Sequence, residues 1–337
     1  MKAPKERGVV VVWLALFLLV LLGFGSLAVD VAKLAATKTQ LQNAADAAAL
    51  AGASALDPGT GLIVPDVAVA RAQAVAASNK AFIADPQPVL LPAGDVTFPT
   101  YDRVRVTVRR EGGESVVTTL AQVLGITRLS VTATATARVE TTGTALCGIV
   151  PLGLTPPSGE TFLVGCSHVY TLKFGSGSGG QFGAIRFPSC LDKGVCAGMS
   201  PSGANTFRCL MTNGYCCPLS AGQVVPTESG NMSGPMRGAI DARFGADAVT
   251  DENICYTDYL ARGGSGQRVV VVPVTTPTAS QSSVTILGFT AFFLRNRPAS
   301  GGQSQLEGEF LYLVVPGTGG GSGNGALAFS IRLVPNN

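Results

Sequence analysis

The stretch VVVVWLALFLLVLLGFGSLAV, from Val9 to Val29, decides how this chain is organised. No charged residue occurs between Gly8 and Val29. An α-helix rises about 1.5 Å per residue, so roughly 20 residues cross the ~30 Å hydrocarbon core of a bilayer. The stretch therefore predicts a transmembrane helix. Since the sequence contains no second stretch of comparable length, we expect a single-pass protein.

The charges on either side of this helix predict its orientation. Lys2, Lys5 and Arg7 precede it, and Asp30 follows it directly. Basic residues stay on the cytoplasmic side of a membrane helix. We therefore expect a cytoplasmic tip and transmembrane helix over residues 1–29 in the cytoplasmic membrane. The rest of the chain is expected to be extracytoplasmic.

Two alternatives compete with a permanent anchor. Ser26-Leu27-Ala28 fits a signal-peptide cleavage site, although signal cores are typically about 7–15 residues and this one is longer. A prepilin cut after Gly8 is the other alternative, but Trp13 stands where such pilins carry Glu. The uncleaved anchor is the favoured interpretation.

Composition excludes two classes of protein. Of the 337 residues, 13% are charged and 46% are apolar, against about 25% charged in an average soluble domain. Disordered chains are rich in charge and poor in apolar residues, so disorder is excluded. The 24 basic and 21 acidic residues form no basic block, so we expect no nucleic-acid partner.

A helical pattern continues from Asp30 to Leu56 and ends at Asp57-Pro58-Gly59. Small and leucine side chains recur along one face of this Ala-rich stem, and small residues let helices approach closely. The predicted helix-packing seam consists of Leu34, Leu41, Ala44, Ala48 and Gly52. Two partners for the seam remain open, namely the chain's own next helix or helices of other proteins.

The opening of the chain resembles the TadE/TadG-like family of Flp (Tad) pilus-assembly proteins. The resemblance is carried by Arg7-Gly8, Ala28-Val29-Asp30 and the segment LQNAADAAALAGA, Leu41–Ala53, and it continues less strongly to about residue 140. Because the pilin Glu is absent, the TadG-like branch fits better. The resemblance implies a membrane-anchored component that acts in pilus assembly, anchoring or surface contact, with other Tad components as partners of the helical stem.

Residues 30–142 are predicted to form the stem and a small helix-on-antiparallel-sheet module. The pattern predicts a helix over Val64–Ala84 and strands over Arg103–Arg109 and Leu129–Val139. A short helix is predicted between the two strands, over Val116–Leu124.

Residues 143–337 are predicted to form a disulfide-rich, all-β extracytoplasmic domain, so the overall class is α+β. All the cysteines lie here, and an even number in an exported part favours disulfides over zinc because no Cys-x₂-Cys spacing occurs. These candidates are Cys147, Cys166, Cys190, Cys196, Cys209, Cys216, Cys217 and Cys255. Strands are predicted at Val269–Val274, Val284–Phe293, Phe310–Val315 and Leu327–Leu333. Loops are predicted at Gly175–Gly180 and Gly317–Gly325.

The sequence predicts no catalytic residue, metal site or cofactor. His168 is the only histidine and lies beside no nucleophile motif. Five acidic residues lie between positions 241 and 258, but their spacing does not follow a calcium loop. We therefore expect a protein that is not an enzyme. The alternative is a secreted or anchored module that binds a carbohydrate or another surface ligand, and an envelope hydrolase is the least favoured third hypothesis.

Overall fold

A computed structural model describes residues 7–81, 87–119, 121–156, 161–174, 182–187, 195–277, 282–298, 304–321 and 325–336. The chain divides into two compact units. Unit 1 comprises Met1–Ala55, Pro65–Arg138 and Leu333–Asn337, and unit 2 comprises Leu56–Val64 and Val139–Arg332. Composition had suggested a boundary near residue 142. The mixed α+β class is confirmed.

Unit 1 contains two long helices, α1 (Arg7–Ala53) and α2 (Pro65–Ser78). The 47 residues of α1 form one uninterrupted helix. Its last three turns lie against α2 through alanines such as Ala44, Ala48, Ala68 and Ala72, all fully buried. Side chains this small let the two helix backbones approach closely, which is what the Ala-rich composition predicted.

The sheet of unit 1 is antiparallel. β4 (Arg103–Arg110) pairs with β3 (Val96–Thr97) on one side and with β7 (Val131–Ala145) on the other. Period-two alternation in β4 buries Val104, Val106 and Val108. It leaves Arg103, Arg105 and Arg109 on the opposite face, whereas Arg110 at the end of the strand is buried. The predicted helix-on-sheet arrangement is therefore confirmed.

Two predicted helices of unit 1 differ in the structure. Residues 116–124, expected to be helical, instead form β5 (Val116–Val117), paired with β6 (Arg128–Leu129), and a 3₁₀ turn over Ala121–Leu124. That prediction was wrong, because β-branched residues favour strands and the segment closes a hairpin through the Thr118 N–H donating to the Thr127 carbonyl. The helix expected to reach Ala84 ends at Ser78. It is followed by the short strands β1 (Lys80–Ala81) and β2 (Gln87–Pro88), and residues 82–86 lie outside the described part.

The main sheet of unit 2 is built around two hydrophobic strands at its centre. The central pair is β13 (Val269–Thr275) and β14 (Ser283–Leu294), which confirms both predicted strands. The outer strands are β8 (Leu152–Leu154), β9 (Tyr170–Phe174), β10 (Phe182–Ala184), β12 (Val224–Pro226) and β15 (Ser304–Leu311). The strand order is β10-β8-β13-β14-β15-β9, and β12 pairs with the first residues of β14.

Unit 2 also contains three helices that the sequence analysis did not predict. They are α3 (Ala204–Asn213), α4 (Ser233–Ala246) and α5 (Tyr256–Ala261). Alternate residues of β13 enter two different clusters. Val270, Val272 and Val274 pack with α3 and α4, whereas Val271 packs with a second cluster that includes Phe289. The distal part is thus β-rich with a helical layer.

Four short or terminal strands complete the fold. They are β11 (Leu219–Ser220), β16 (Leu313–Val314), β17 (Gly317–Gly319) and β18 (Ala328–Val334). β17 pairs with the end of β7, so the loop predicted from Gly317 was wrong at its start. Gly317 is required there, since a Cβ would lie 2.3 Å from the Thr144 carbonyl oxygen. The loop predicted over Gly175–Gly180 lies outside the described residues.

Disulfides connect distant parts of unit 2. Cys147 pairs with Cys216, Cys166 with Cys255, and Cys196 with Cys209. Cys217 is also disulfide-bonded, and no cysteine in the described ranges is free. Cys190 lies outside those ranges. The predicted disulfide-rich character of the distal part is confirmed.

Candidate membrane anchor and its junction with unit 1

The first half of α1 is apolar, and its apolar window is not buried against any other part of the chain that the structure describes. Its large apolar side chains between Val10 and Val29 are 46–72% exposed, whereas the core residues of both units are close to 0%. The helix is long and apolar enough to cross a membrane, and it is the single helix of this kind among the described residues. Exposed apolar surface of this extent is stable only in lipid or against a partner.

Asp30, the first charged residue after the apolar stretch, joins the helix to the rest of unit 1. It is 5% exposed. The backbone N–H of Thr119 donates to Oδ1 at 2.6 Å, and the N–H of Ala121 donates to Oδ2 at 3.1 Å. These contacts cap the 3₁₀ turn that begins at Ala121, since an aspartate accepts the unpaired N–H groups at a helix start. One turn further along α1, Lys33 Nζ donates to Thr119 Oγ1 at 2.6 Å.

The predicted seam lies on the face of α1 that is used inside unit 1. Leu41, Ala44, Ala48 and Gly52 are buried, and Leu34 is half-buried. A Cβ at Gly52 would lie 3.0 Å from Val104 Cγ1 and 3.4 Å from the Ala68 carbonyl oxygen. The seam therefore contacts α2 and β4, the first of the two partners that the sequence left open.

The opposite face of the stem is exposed and carries both apolar and polar side chains. Exposed positions recur at helical spacing, at Val31, Ala35, Lys38, Thr39 and Asn43. Asn43 belongs to the segment that carried the family resemblance. Small and uncharged side chains predominate on this face, which distinguishes it from a fully solvated helix face rich in charge.

Sequence reasoning missed the partners of Asp30. Thr119 and Ala121 lie 89 and 91 residues further along the chain. No local pattern in the sequence connects them to α1. A helix was predicted over Val116–Leu124, so the 3₁₀ turn at Ala121 that Asp30 caps was not predicted. The resemblance itself singled out Asp30, and that was the available signal.

Charged side chains in unit 2 make contacts that stabilise the fold. Arg268 is fully buried, donates to the carbonyls of Leu294, Val249, Asp251 and Arg295, and lies 4.2 Å from the centre of the Phe244 ring. A guanidinium in such a position stabilises the fold through hydrogen bonds and a cation–π contact.

Asp247 directly follows α4, and its negative charge acts on the Arg268 guanidinium. It accepts hydrogen bonds from Tyr259 Oη at 2.6 Å and from the N–H groups of Val249 and Ser265. Burial alone would raise the pKa of Asp247, but these hydrogen bonds together outweigh it and lower the pKa below its ordinary value.

The remaining acidic residues between positions 241 and 258 are separated rather than clustered. Asp251 pairs with Arg262 at 2.7 Å, Glu252 pairs with Arg297 at 3.2 Å, and Asp241 lies 3.8 Å from Arg237. In the described ranges no three His, Cys, Asp or Glu side chains converge as metal ligands would. His168 lies in a turn after Gly165 rather than in a strand.

These features define a class of protein, an α+β chain whose N-terminal helix is a candidate membrane anchor. Residues 8–55 match the family described as putative Flp pilus-assembly TadE/G-like. The match covers the apolar helix, Asp30 and the packed stem, so the resemblance is confirmed over this stretch and supports a pilus-assembly-related role. The TadG-like branch stays a prediction. Comparisons with curated proteins and with solved structures found no match.

Proposed function

We propose that this chain is a non-enzymatic, membrane-anchored component of a Tad/Flp-type pilus-assembly system. Its N-terminus is cytoplasmic, the apolar half of α1 crosses the membrane, and the chain after Val29 is extracytoplasmic. The observation that carries the proposal is the coincidence of the family match with α1, whose first half is exposed apolar helix and whose second half is packed into unit 1. The basic residues before Val9 support the orientation.

The proposed contact with other helical pilus components uses the exposed face of the stem. The seam from Leu41 to Gly52 is occupied by α2 and β4, so a partner helix that used it would have to displace α2. The face that includes Lys38 and Asn43 is accessible. Its short side chains permit a close approach by another helix, which supports this face as the partner surface.

Site-specific photo-crosslinking in cells tests this contact. A photo-crosslinking amino acid at Asn43 is expected to give adducts with other pilus-assembly proteins. The same photo-crosslinking group at Tyr101 serves as the control. Tyr101 is 81% exposed and lies just before β4, outside the stem helix. Equal adducts from both positions, or none from Asn43, would contradict a specific contact through the stem.

Deletion of the gene tests the role in assembly. Loss of surface pili, restored by the full chain but not by a chain lacking residues 9–27, is the expected result. Normal piliation in the deletion strain would contradict the proposal. Binding of a glycan array by residues 145–337 would then favour the alternative of a surface-ligand module.

A further inference from the structure

We propose that the hairpin built by β5 and β6 rests on the lipid surface of the membrane that α1 enters. We call its described residues, 116–119 and 121–129, the interfacial hairpin. The inference rests on the proposed membrane anchor and adds a second, peripheral lipid contact to it. The occupant of this surface is the headgroup region of a phospholipid bilayer.

The position of the hairpin along α1 follows from Asp30. The uncharged stretch that ends at Val29 is about as long as the hydrocarbon core is thick, so Asp30 lies at the boundary between hydrocarbon and headgroups. The hydrogen bonds from Thr119 and Ala121 to its carboxylate are 2.6 and 3.1 Å long. These residues of the hairpin therefore lie at the same depth as Asp30.

The hairpin presents apolar side chains at that depth. Val117 is 40% exposed and Ile126 is 45% exposed. Two hydrogen bonds that Thr118, next to Val117, donates across the hairpin hold the segment of Val117 beside that of Ile126. The N–H of Thr118 donates to the Thr127 carbonyl and its hydroxyl donates to the Ile126 carbonyl. Two exposed apolar side chains beside the end of a membrane helix can be buried among lipid chains near the headgroups.

Polar and cationic groups border this apolar pair. Lys33 on α1 and Arg128 within the hairpin supply positive charge. A polar cavity of about 270 Å³ adjoins Val117 and is lined in part by Arg110, Glu114 and Arg128. An apolar contact with a cationic border is the usual composition of elements that lie in the interface of anionic bilayers.

Tryptophan fluorescence of the full-length protein in lipid vesicles tests the inference. The chain has one tryptophan, Trp13, inside the apolar helix. In a Trp13→Phe background, Val117→Trp and Ile126→Trp each introduce a single probe in the hairpin. Tyr101→Trp is the control, because Tyr101 lies just before Arg103, and Arg103 is roughly 23 Å along β4 from Arg110.

The vesicles contain phosphatidylcholine and phosphatidylglycerol with brominated acyl chains. Both hairpin probes are expected to emit at shorter wavelength than the control and to be quenched by bromine, with the control unquenched. Hairpin probes that behave like Tyr101→Trp would overturn the inference. The unsubstituted protein, whose one tryptophan is Trp13, tests the membrane anchor separately. Quenching of Trp13 with unquenched hairpin probes would overturn the lipid contact of the hairpin alone. An unquenched Trp13 would overturn the proposed anchoring and the inference together.

Hydroxyl-radical footprinting of the unsubstituted protein in the same vesicles needs no variant to fold. Val117 and Ile126 are expected to be oxidised several-fold more slowly than their exposed fractions of 40% and 45% predict. Leu90, which is 70% exposed in unit 1, is the internal reference and should be oxidised at the rate that its exposure predicts. Oxidation of the two hairpin residues in proportion to their exposure, as for Leu90, would contradict the lipid contact.

Discussion

The carboxylate of Asp30 lies where the apolar half of α1 gives way to the folded part of unit 1. Its two oxygens satisfy two backbone N–H groups that have no partner within their own 3₁₀ turn. A buried N–H that loses its acceptor costs more than the hydrogen bond itself contributes. One side chain therefore fixes the start of a turn about ninety residues away.

Asp30→Ala should release this turn. We expect a loss of about 1–3 kcal/mol in the local stability of the hairpin, the cost of leaving the buried Ala121 donor unsatisfied. Hydrogen exchange at the Thr119 and Ala121 amides measures it directly. Lys38→Ala, an exposed change on the same helix, controls for altered helix charge. Unchanged protection of both amides in Asp30→Ala would mean that the turn does not depend on the carboxylate.

Glu309 in β15 gives unit 2 a pH dependence of known sign. It is 1% exposed and accepts a hydrogen bond from the Tyr256 N–H at 2.5 Å. Burial raises the pKa of Glu309 above its ordinary value of 4.5, against the opposing effects of that hydrogen bond and of Arg295. The folded protein thus keeps this proton to a higher pH than the unfolded chain. The stabilisation of the folded state by the protonated Glu309 carboxyl is fully present below about pH 4.5. It is lost as the pH rises through the raised pKa of this group.

Glu309→Gln should therefore stabilise unit 2 more at pH 7 than at pH 4, because the amide cannot ionise in a buried position. Thermal unfolding of wild type and variant at the two pH values measures the difference. Glu307→Gln on the same strand controls for the change in net charge. A stabilisation that does not grow with pH would contradict the assigned sign.

At the scale of elements, the long regular strands and the helix α1 were predictable. β4 alternates charged and β-branched residues. β13 and β14 are runs of β-branched and aromatic residues, which favour strands. The membrane helix followed from the absence of charge. Each of these signals lies within the element itself.

The helices of unit 2 and the hairpin after Arg110 were not predictable in the same way. α5 has six residues, and α3 contains Asn, Thr and Cys, which are weak helix formers. Both are stabilised by burial of Phe207, Met211 and Tyr259 in the core, a tertiary effect. The junction at Asp30 depends on a contact between distant segments, so its partners were invisible to local patterns.

The packing of α1 on α2 and β4 leaves no space for a larger side chain. Ala48→Leu should destabilise unit 1 by about 1–3 kcal/mol, the usual cost of overpacking. Ala35→Leu, on the exposed face of the same helix, should change the stability by less than about 0.5 kcal/mol. Thermal unfolding followed by circular dichroism checks both. Equal melting temperatures would show that the seam is not tightly packed in solution.

The disulfides should differ in their contributions according to the loop that each closes. Cys147–Cys216 spans 69 residues, and Cys196–Cys209 spans 13. Chain entropy predicts about 4 kcal/mol for the first and about 3 kcal/mol for the second. Urea unfolding of the Cys147→Ala/Cys216→Ala and Cys196→Ala/Cys209→Ala double variants measures both. A larger loss in the second variant would contradict the entropic order.

For the whole molecule, the exposure of the apolar helix predicts that folding does not require it. A chain that begins at Ala28 should be soluble without detergent and should form the same disulfides, because the large apolar side chains of the deleted part are exposed in the described structure. Size-exclusion chromatography and peptide mapping under non-reducing conditions check this. Aggregation of the shortened chain, with the full chain folded in detergent, would show that the helix contributes to the fold.

The unbroken course of α1 has a mechanical consequence. Over 47 residues, about 70 Å, the same helix passes from its apolar half into the packed stem without a loop. A pull or a twist applied to the packed stem is therefore transmitted to the apolar half as through a rigid rod, because the helix continues between them without a loop. Movement of one end along or about the helix axis requires the other end to move with it.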